Sequence, residues 1–190
     1  RWDKAGLQVP AVGINASLSD LRDTTLPDRI RWELDRFGLS PDRLGIEVLE
    51  TVIAATDNDV VLANIAALAR LGCGIDLDDF GTGHASITNI RRFSVRRIKI
   101  DRSFVARIDE DQDQQRMLAA ILSMAEQLGI ETLAEGVETQ AVHAILAQLG
   151  CQHVQGFGIA RPMPLDDTLA WIARHQGRQA EAPRIGHRAR

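Results

Sequence analysis

The chain has 190 residues, 45% of them hydrophobic and 25% charged, with a formal net charge of -4 and a pI near 5.7. That length can bury one substantial core, and the acidic balance argues against a protein that coats a nucleic acid polymer by bulk electrostatics. No run is apolar for long enough to span a bilayer, and Arg1-Trp2-Asp3-Lys4 is no signal peptide, so a cytoplasmic location is the default expectation.

Short apolar strands are predicted at residues 11–14, 44–49, 74–77, 97–100, 130–134 and 152–154, with amphipathic helices between them. The first strand leads into Asn15, and the helix after it carries Ile30, Leu34 and Phe37 before Gly38. The second strand holds Glu47, with Glu50 in the loop beyond, and its helix places Val61, Ile65 and Leu68 on one face. The third runs into Asp78-Asp79, and the fourth contains Lys99. A helix with Met117, Ile121, Met124 and Leu128 on one face precedes the fifth strand, which leads to Glu135; the sixth leads to Gln155. Leu71-Gly72, Leu128-Gly129 and Leu149-Gly150 repeat one junction, in which glycine supplies the left-handed backbone that stops a helix and turns the chain into a strand. From about Gly177 the periodicity fades into Arg-rich sequence, read as a flexible tail or linker over 177–190.

Alternating strands and helices joined by tight connections define an α/β class with a parallel sheet. An open doubly wound sheet gathers its site at one switch point, whereas a (β/α) barrel brings all its strand ends to one face. Because every predicted strand here ends in a polar or ionisable residue, the TIM-like barrel is favoured. About six of its eight strands are present, and the missing ones would precede residue 1.

The adjacent carboxylates of Asp78 and Asp79 repel unless cations sit between them, which suits hard ions such as Mg²⁺ or Mn²⁺; alone, the pair also reads as a turn or cap. Glu47 and Asn15 could add oxygen donors, although a lone strand-end Glu is usually solvated and Asn15 could be a plain cap. Lys99 stands out because Lys4 is the only other lysine in a chain that otherwise uses Arg. A compact ammonium can hold a water or a phosphate oxygen as a point charge; the alternative is a snorkelling edge-strand Lys. Glu135 is placed to bind metal or to deprotonate water, and Gln155 closes the set or forms a turn. Cys73 and Cys151 match no zinc spacing and read as buried thiols. The histidines fall in no metal or nucleophile spacing. Together these residues point to metal-assisted hydrolysis of an anionic substrate.

On the stretches Asn15-Ala16-Ser17, Ile46-Glu47-Val48-Leu49-Glu50, Leu77-Asp78-Asp79-Phe80-Gly81-Thr82-Gly83, Ile98-Lys99-Ile100-Asp101-Arg102-Ser103-Phe104-Val105, Ala134-Glu135-Gly136-Val137-Glu138-Thr139 and Gln155-Gly156-Phe157, the chain resembles the EAL domain family, bacterial phosphodiesterases that hydrolyse cyclic di-GMP. The resemblance implies an EAL domain over 1–176 with a two-metal site that opens cyclic di-GMP to linear pGpG. By position, Asn15, Glu47 and Asp78 would hold one metal, and Asp78, Asp79 and Glu135 the second. Lys99 would position the attacking water or the phosphate, Gln155 and Asp101 would support the site, and Glu50 would anchor loop 80–83, which the family links to dimerisation. It further implies a homodimer and an upstream sensory or GGDEF domain, in a parent protein that could be membrane-tethered.

His84-Ala85 stands where the family usually has Tyr-Ser. The Glu-Ala-Leu signature, whose glutamate binds the first metal, is absent from the sequence, so turnover is expected only in an N-terminally extended chain. The alternative is a non-catalytic EAL module that binds cyclic di-GMP or a protein; a third reading is an unrelated metal-dependent barrel.

Overall fold

The structure is a computed structural model that describes residues 1–54, 59–83 and 87–181. It comprises two compact units, Ala11–Arg161 and the pair of segments Arg1–Pro10 and Pro162–Arg190. His84 and Ala85 lie outside the described residues, as does the expected tail beyond Glu181.

In the larger unit, the strands β1 (Val12–Asn15), β2 (Leu44–Leu49), β3 (Gly74–Phe80), β4 (Arg97–Ile100), β5 (Glu131–Ala134) and β6 (His153–Val154) form one six-stranded sheet in sequence order. Every neighbouring pair is parallel. A doubly wound sheet has to reverse its strand order at some point, whereas this order never reverses, as in the one-way winding of a (β/α) barrel. The six strands make a part-barrel with β1 and β6 at its edges. After β1 come helices α1 (Leu18–Arg22) and α2 (Leu26–Phe37); after β2, α3 (Glu50–Ala54) and α4 (Asp59–Leu71). After β3 comes α5 (Ile87–Arg92); after β4, α6 (Arg102–Val105) and α7 (Gln112–Leu128); and after β5, α8 (Gln140–Gln148).

The Leu-Gly junctions share one geometry. Cys73 N donates to Leu68 O, Ile130 N to Ala125 O and Cys151 N to Leu146 O, the long bond of the Schellman stop. It needs a left-handed residue between helix and strand, and Gly72, Gly129 and Gly150 have φ of 107°, 69° and 87°. Each stop sets where the following strand begins, and therefore where its polar end emerges.

Side chains alternate across a strand, so the sheet has two chemically different faces. Ile46, Val48, Ile75, Leu77, Ile98 and Ile100 are buried in the core with Leu21, Ile65, Leu68, Leu118, Leu122 and Leu146 of the surrounding helices. The other parity carries Glu47, Asp76, Asp78, Arg97, Lys99 and Glu131. Two helix faces differ from the sequence expectation. On α7 the buried stripe is Leu118, Leu122 and Ala125, with Ile121, Met124 and Leu128 flanking it and Met117 exposed. On α2, Leu34 is buried but Phe37 is exposed, and the Arg36 guanidinium lies 5.2 Å from the centre of its ring. In both cases the apolar stripe is wider than the surface it covers, so its outermost residues stay in water.

In the smaller unit, Trp2 Nε1 donates to Thr168 Oγ1 at 2.9 Å, and Arg1 pairs with Asp166 at 3.0 Å. Its helix α9 (Leu165–Glu181) runs past Gln176 into the segment read as tail, because Arg178-Gln179-Ala180-Glu181 are good helix formers even without an apolar stripe.

Candidate metal centre

The polar face of the sheet gathers its charges at the carboxyl ends of the strands. Lys99 Nζ, in the middle of β4, lies 2.7 Å from Glu47 Oε2 of β2, 2.7 Å from Asp78 Oδ1 of β3 and 2.9 Å from Glu135 Oε1 just beyond β5. The lysine side chain is only 5% exposed. Burial alone would disfavour its charge, but the contacts with Asp78, Glu47 and Glu135 outweigh this and hold its pKa well above the usual lysine value. Lys99 is therefore no snorkelling edge residue: β4 lies between β3 and β5, and its ammonium is the hub of three carboxylates.

The sequence reading ended the third strand at Leu77; β3 in fact continues to Phe80, with an irregularity in its register against β4 between Leu77 and Phe80. Asp79 sits there with φ of 53°, a left-handed conformation that Asp tolerates better than most residues. Successive side chains of a regular strand point to opposite faces. The bulge turns Asp79 back, so that Asp78, Asp79 and Glu135 each offer an oxygen within 4.8 Å of the others. Ligands at ~2.0–2.6 Å from one hard cation are separated by about that much.

The donor set fits such an ion on chemical grounds as well. Asp78 Oδ1 is buried and, among the described residues, meets no donor with hydrogen-bond geometry, although Lys99 Nζ lies 2.7 Å away. Burial raises the pKa of Asp79, with Asp78 and Asp101 adding to the shift. Burial likewise raises that of Glu135, which Lys99 partly offsets and which Asp78 and Asp79 increase. Three oxygen donors with surplus negative charge and an unsatisfied buried lone pair are what a divalent oxygen-loving cation would compensate.

Around this cluster, Glu50 is not in a loop but opens α3, and it is 2% exposed. Its Oε2 accepts from Gly81 N at 2.8 Å and from Gly83 N at 3.0 Å, tying the segment after Asp79 to the end of β2. A Cβ on Gly81 would collide with the Phe104 ring of α6, which closes on the same segment from the other side. Asp101 caps α6 by accepting from Ser103 N. Asn15 stands opposite Glu47 in the β1–β2 register. Gln155 is exposed just past β6, its backbone N donating to Ala134 O and its O accepting from Val137 N. Glu138 is exposed.

A second charged layer escaped the sequence reading. Asp76, 2% exposed, pairs with Arg96 at 3.0 Å and Arg97 at 3.6 Å, and Arg97 pairs with Glu131 at 2.6 Å. Strand parity was the available signal: Asp76 lies two residues before Asp78, and Arg97 two before Lys99. This layer lies one step further down the strands from the centre.

Fold and site together define a parallel (β/α) barrel domain with an acidic strand-end centre whose oxygen donors suit a divalent cation. Residues 1–162 match the model of the EAL domain, and the chain belongs to that family. It is 37% identical over 162 residues to the bifunctional diguanylate cyclase/cyclic di-GMP phosphodiesterase MucR of Pseudomonas aeruginosa, covering 85% of this chain and 24% of that protein. The chain thus spans about a quarter of that relative's length. Among solved structures it is similar to the PaMucR phosphodiesterase in complex with c-di-GMP, at 36% identity and a TM-score of 0.77, covering 84% of this chain and 70% of that one. It is also similar to BlrP1 of Klebsiella pneumoniae in complex with manganese and cyclic di-GMP, at 32% identity and a TM-score of 0.74, covering 85% and 41%. Among the described residues, no helix is long and apolar enough to cross a membrane.

Proposed function

We propose that this domain hydrolyses cyclic di-GMP to linear pGpG in bacterial second-messenger signalling, using two Mg²⁺ or Mn²⁺ ions. The observation that carries the reading is the convergence of Glu47, Asp78 and Glu135 around Lys99 at the carboxyl ends of consecutive strands, with Asp79 grouped beside Asp78 and Glu135. The phosphodiesterase activity named for MucR and the manganese and cyclic di-GMP held by BlrP1 support the same substrate and cofactor class.

In this reading Asn15, Glu47 and Asp78 would hold one ion, and Asp78, Asp79 and Glu135 would hold the other. Bound there, the ions supply positive charge against the charge that develops on the phosphoryl group. Glu135 accepts the proton of the attacking water, a role in which a general base contributes about 10²–10⁴-fold. Lys99 holds a phosphate oxygen or the water as a point charge. Glu50 fixes segment 80–83, and Asp101 and Gln155 support the site from the ends of β4 and β6. Dimerisation through the 80–83 face and an attached sensory or GGDEF domain belong to the same proposal.

The test is release of pGpG from cyclic di-GMP, with Mg²⁺ or Mn²⁺, by a protein carrying this domain. Turnover that Glu135→Gln abolishes is the expected result. A folded protein that binds Mn²⁺ and cyclic di-GMP without producing pGpG would refute the enzyme and establish a binding module.

A further inference from the structure

Glu47, Asp78 and Glu135 each direct an oxygen at the same buried ammonium, and two of these residues also belong to the Asp78–Asp79–Glu135 group. Lys99 Nζ donates to Glu47 Oε2 at 2.7 Å, and that lone pair is not free to coordinate a second cation in the same direction; the ammonium also lies 2.7 Å from Asp78 Oδ1, without hydrogen-bond geometry but close enough to oppose an ion there. Like charges packed among shared carboxylates also oppose one another. The four-carbon lysine stem can change rotamer and withdraw the ammonium from a carboxylate while its backbone stays in β4.

We propose that Lys99 is a tethered cation that competes with divalent metal for Glu47, Asp78 and Glu135, so that filling the centre requires the ammonium to leave at least one of these contacts. The inference rests on the metal centre proposed above and adds to it. Lys99 offsets part of the carboxylates' charge until an ion arrives, and it sets the metal affinity lower than the carboxylates alone would give. A purely orienting lysine would act in the opposite sense, since its loss would disorder the ligands and weaken binding.

The two roles separate in a Mg²⁺ titration of the full chain, followed by calorimetry and by the side-chain ammonium ¹H–¹⁵N resonance of Lys99. In wild type that resonance, slowed in proton exchange by its carboxylate partners, is expected to shift or vanish in step with Mg²⁺ uptake. Lys99→Met is expected to bind Mg²⁺ about tenfold more tightly or better. A Lys99 resonance unmoved at calorimetric saturation overturns the competition, as does a Lys99→Met chain that binds no tighter than wild type. If Lys99→Met fails to fold without metal, the wild-type titration alone decides. Absence of any calorimetric binding by wild type removes the metal centre itself, a failure distinct from those two.

Discussion

Replacing Glu50 by Gln is expected to release segment 80–83 while leaving the barrel folded. The Glu50 side chain is buried and serves two backbone donors, at 2.8 Å from Gly81 N and 3.0 Å from Gly83 N. Hydrogen bonds to an ionised acceptor contribute ~1.5–3 kcal/mol each, against ~0.5–1.5 kcal/mol for neutral ones. Both amides share Oε2, so a Gln whose amide oxygen takes that place keeps both contacts but loses the charge that strengthens each, which together destabilises the segment by ~2–4 kcal/mol. At about 1.4 kcal/mol per decade, that corresponds to a ~30- to 1,000-fold faster amide exchange at Gly81 and Gly83, up to the limit set by global unfolding. Native-state hydrogen exchange read at these two amides is the assay, with the β3 amides of Ile75 and Leu77 as internal controls. Equal exchange at Gly81 and Gly83 in wild type and Glu50→Gln would refute the clamp. Because Asp79 immediately precedes this segment, Mn²⁺ affinity measured on the same samples is expected to fall as well.

Glu135→Gln, which removes a charge from the cluster but little volume, is expected to lower phosphodiesterase turnover at least ~10²-fold with the far-UV spectrum unchanged, and retained turnover would exclude it as the base. Mn²⁺ affinity is expected to rise with pH and then level off. Asp79 and Glu135 bind protons above their ordinary 3.8 and 4.5, and metal must displace those protons, so affinity weakens as pH falls through the raised values. Calorimetry over a pH series checks this, and a pH-independent affinity would contradict it. Asp76→Ala should destabilise the fold by about 2 kcal/mol in urea unfolding, a figure held below the fully buried case because Arg96 is 31% exposed. Gly74→Ala should do comparable damage, since its Cβ would enter the space of the Arg96 guanidinium. Wild-type stability in both variants would show the lower ionic layer to be dispensable.

Much of this protein was legible in its residues because the signals are local. Leu-Gly stops, apolar periodicity and a polar residue at each strand end placed the six strands within a few residues and identified Glu47, Asp78, Asp79, Lys99 and Glu135 as candidates. Backbone chirality and side-chain alternation act over a few residues, so a sequence can display them. What the sequence could not display are relations between segments. Whether the helix stripe on α7 centres on Leu118 or Met117 depends on the surface it meets. That Asp79 turns back toward Asp78 depends on a bulge against β4, and that Glu50 binds amides thirty-odd residues on depends on β2 and β3 being neighbours. Lys99 reads in the sequence as a point charge for a water or a phosphate oxygen; only the strand order β2-β3-β4-β5 brings Glu47, Asp78 and Glu135 within 2.9 Å of its nitrogen. The residue types were fixed by the chain alone, and their mutual geometry by parallel strands that converge at one end of the sheet.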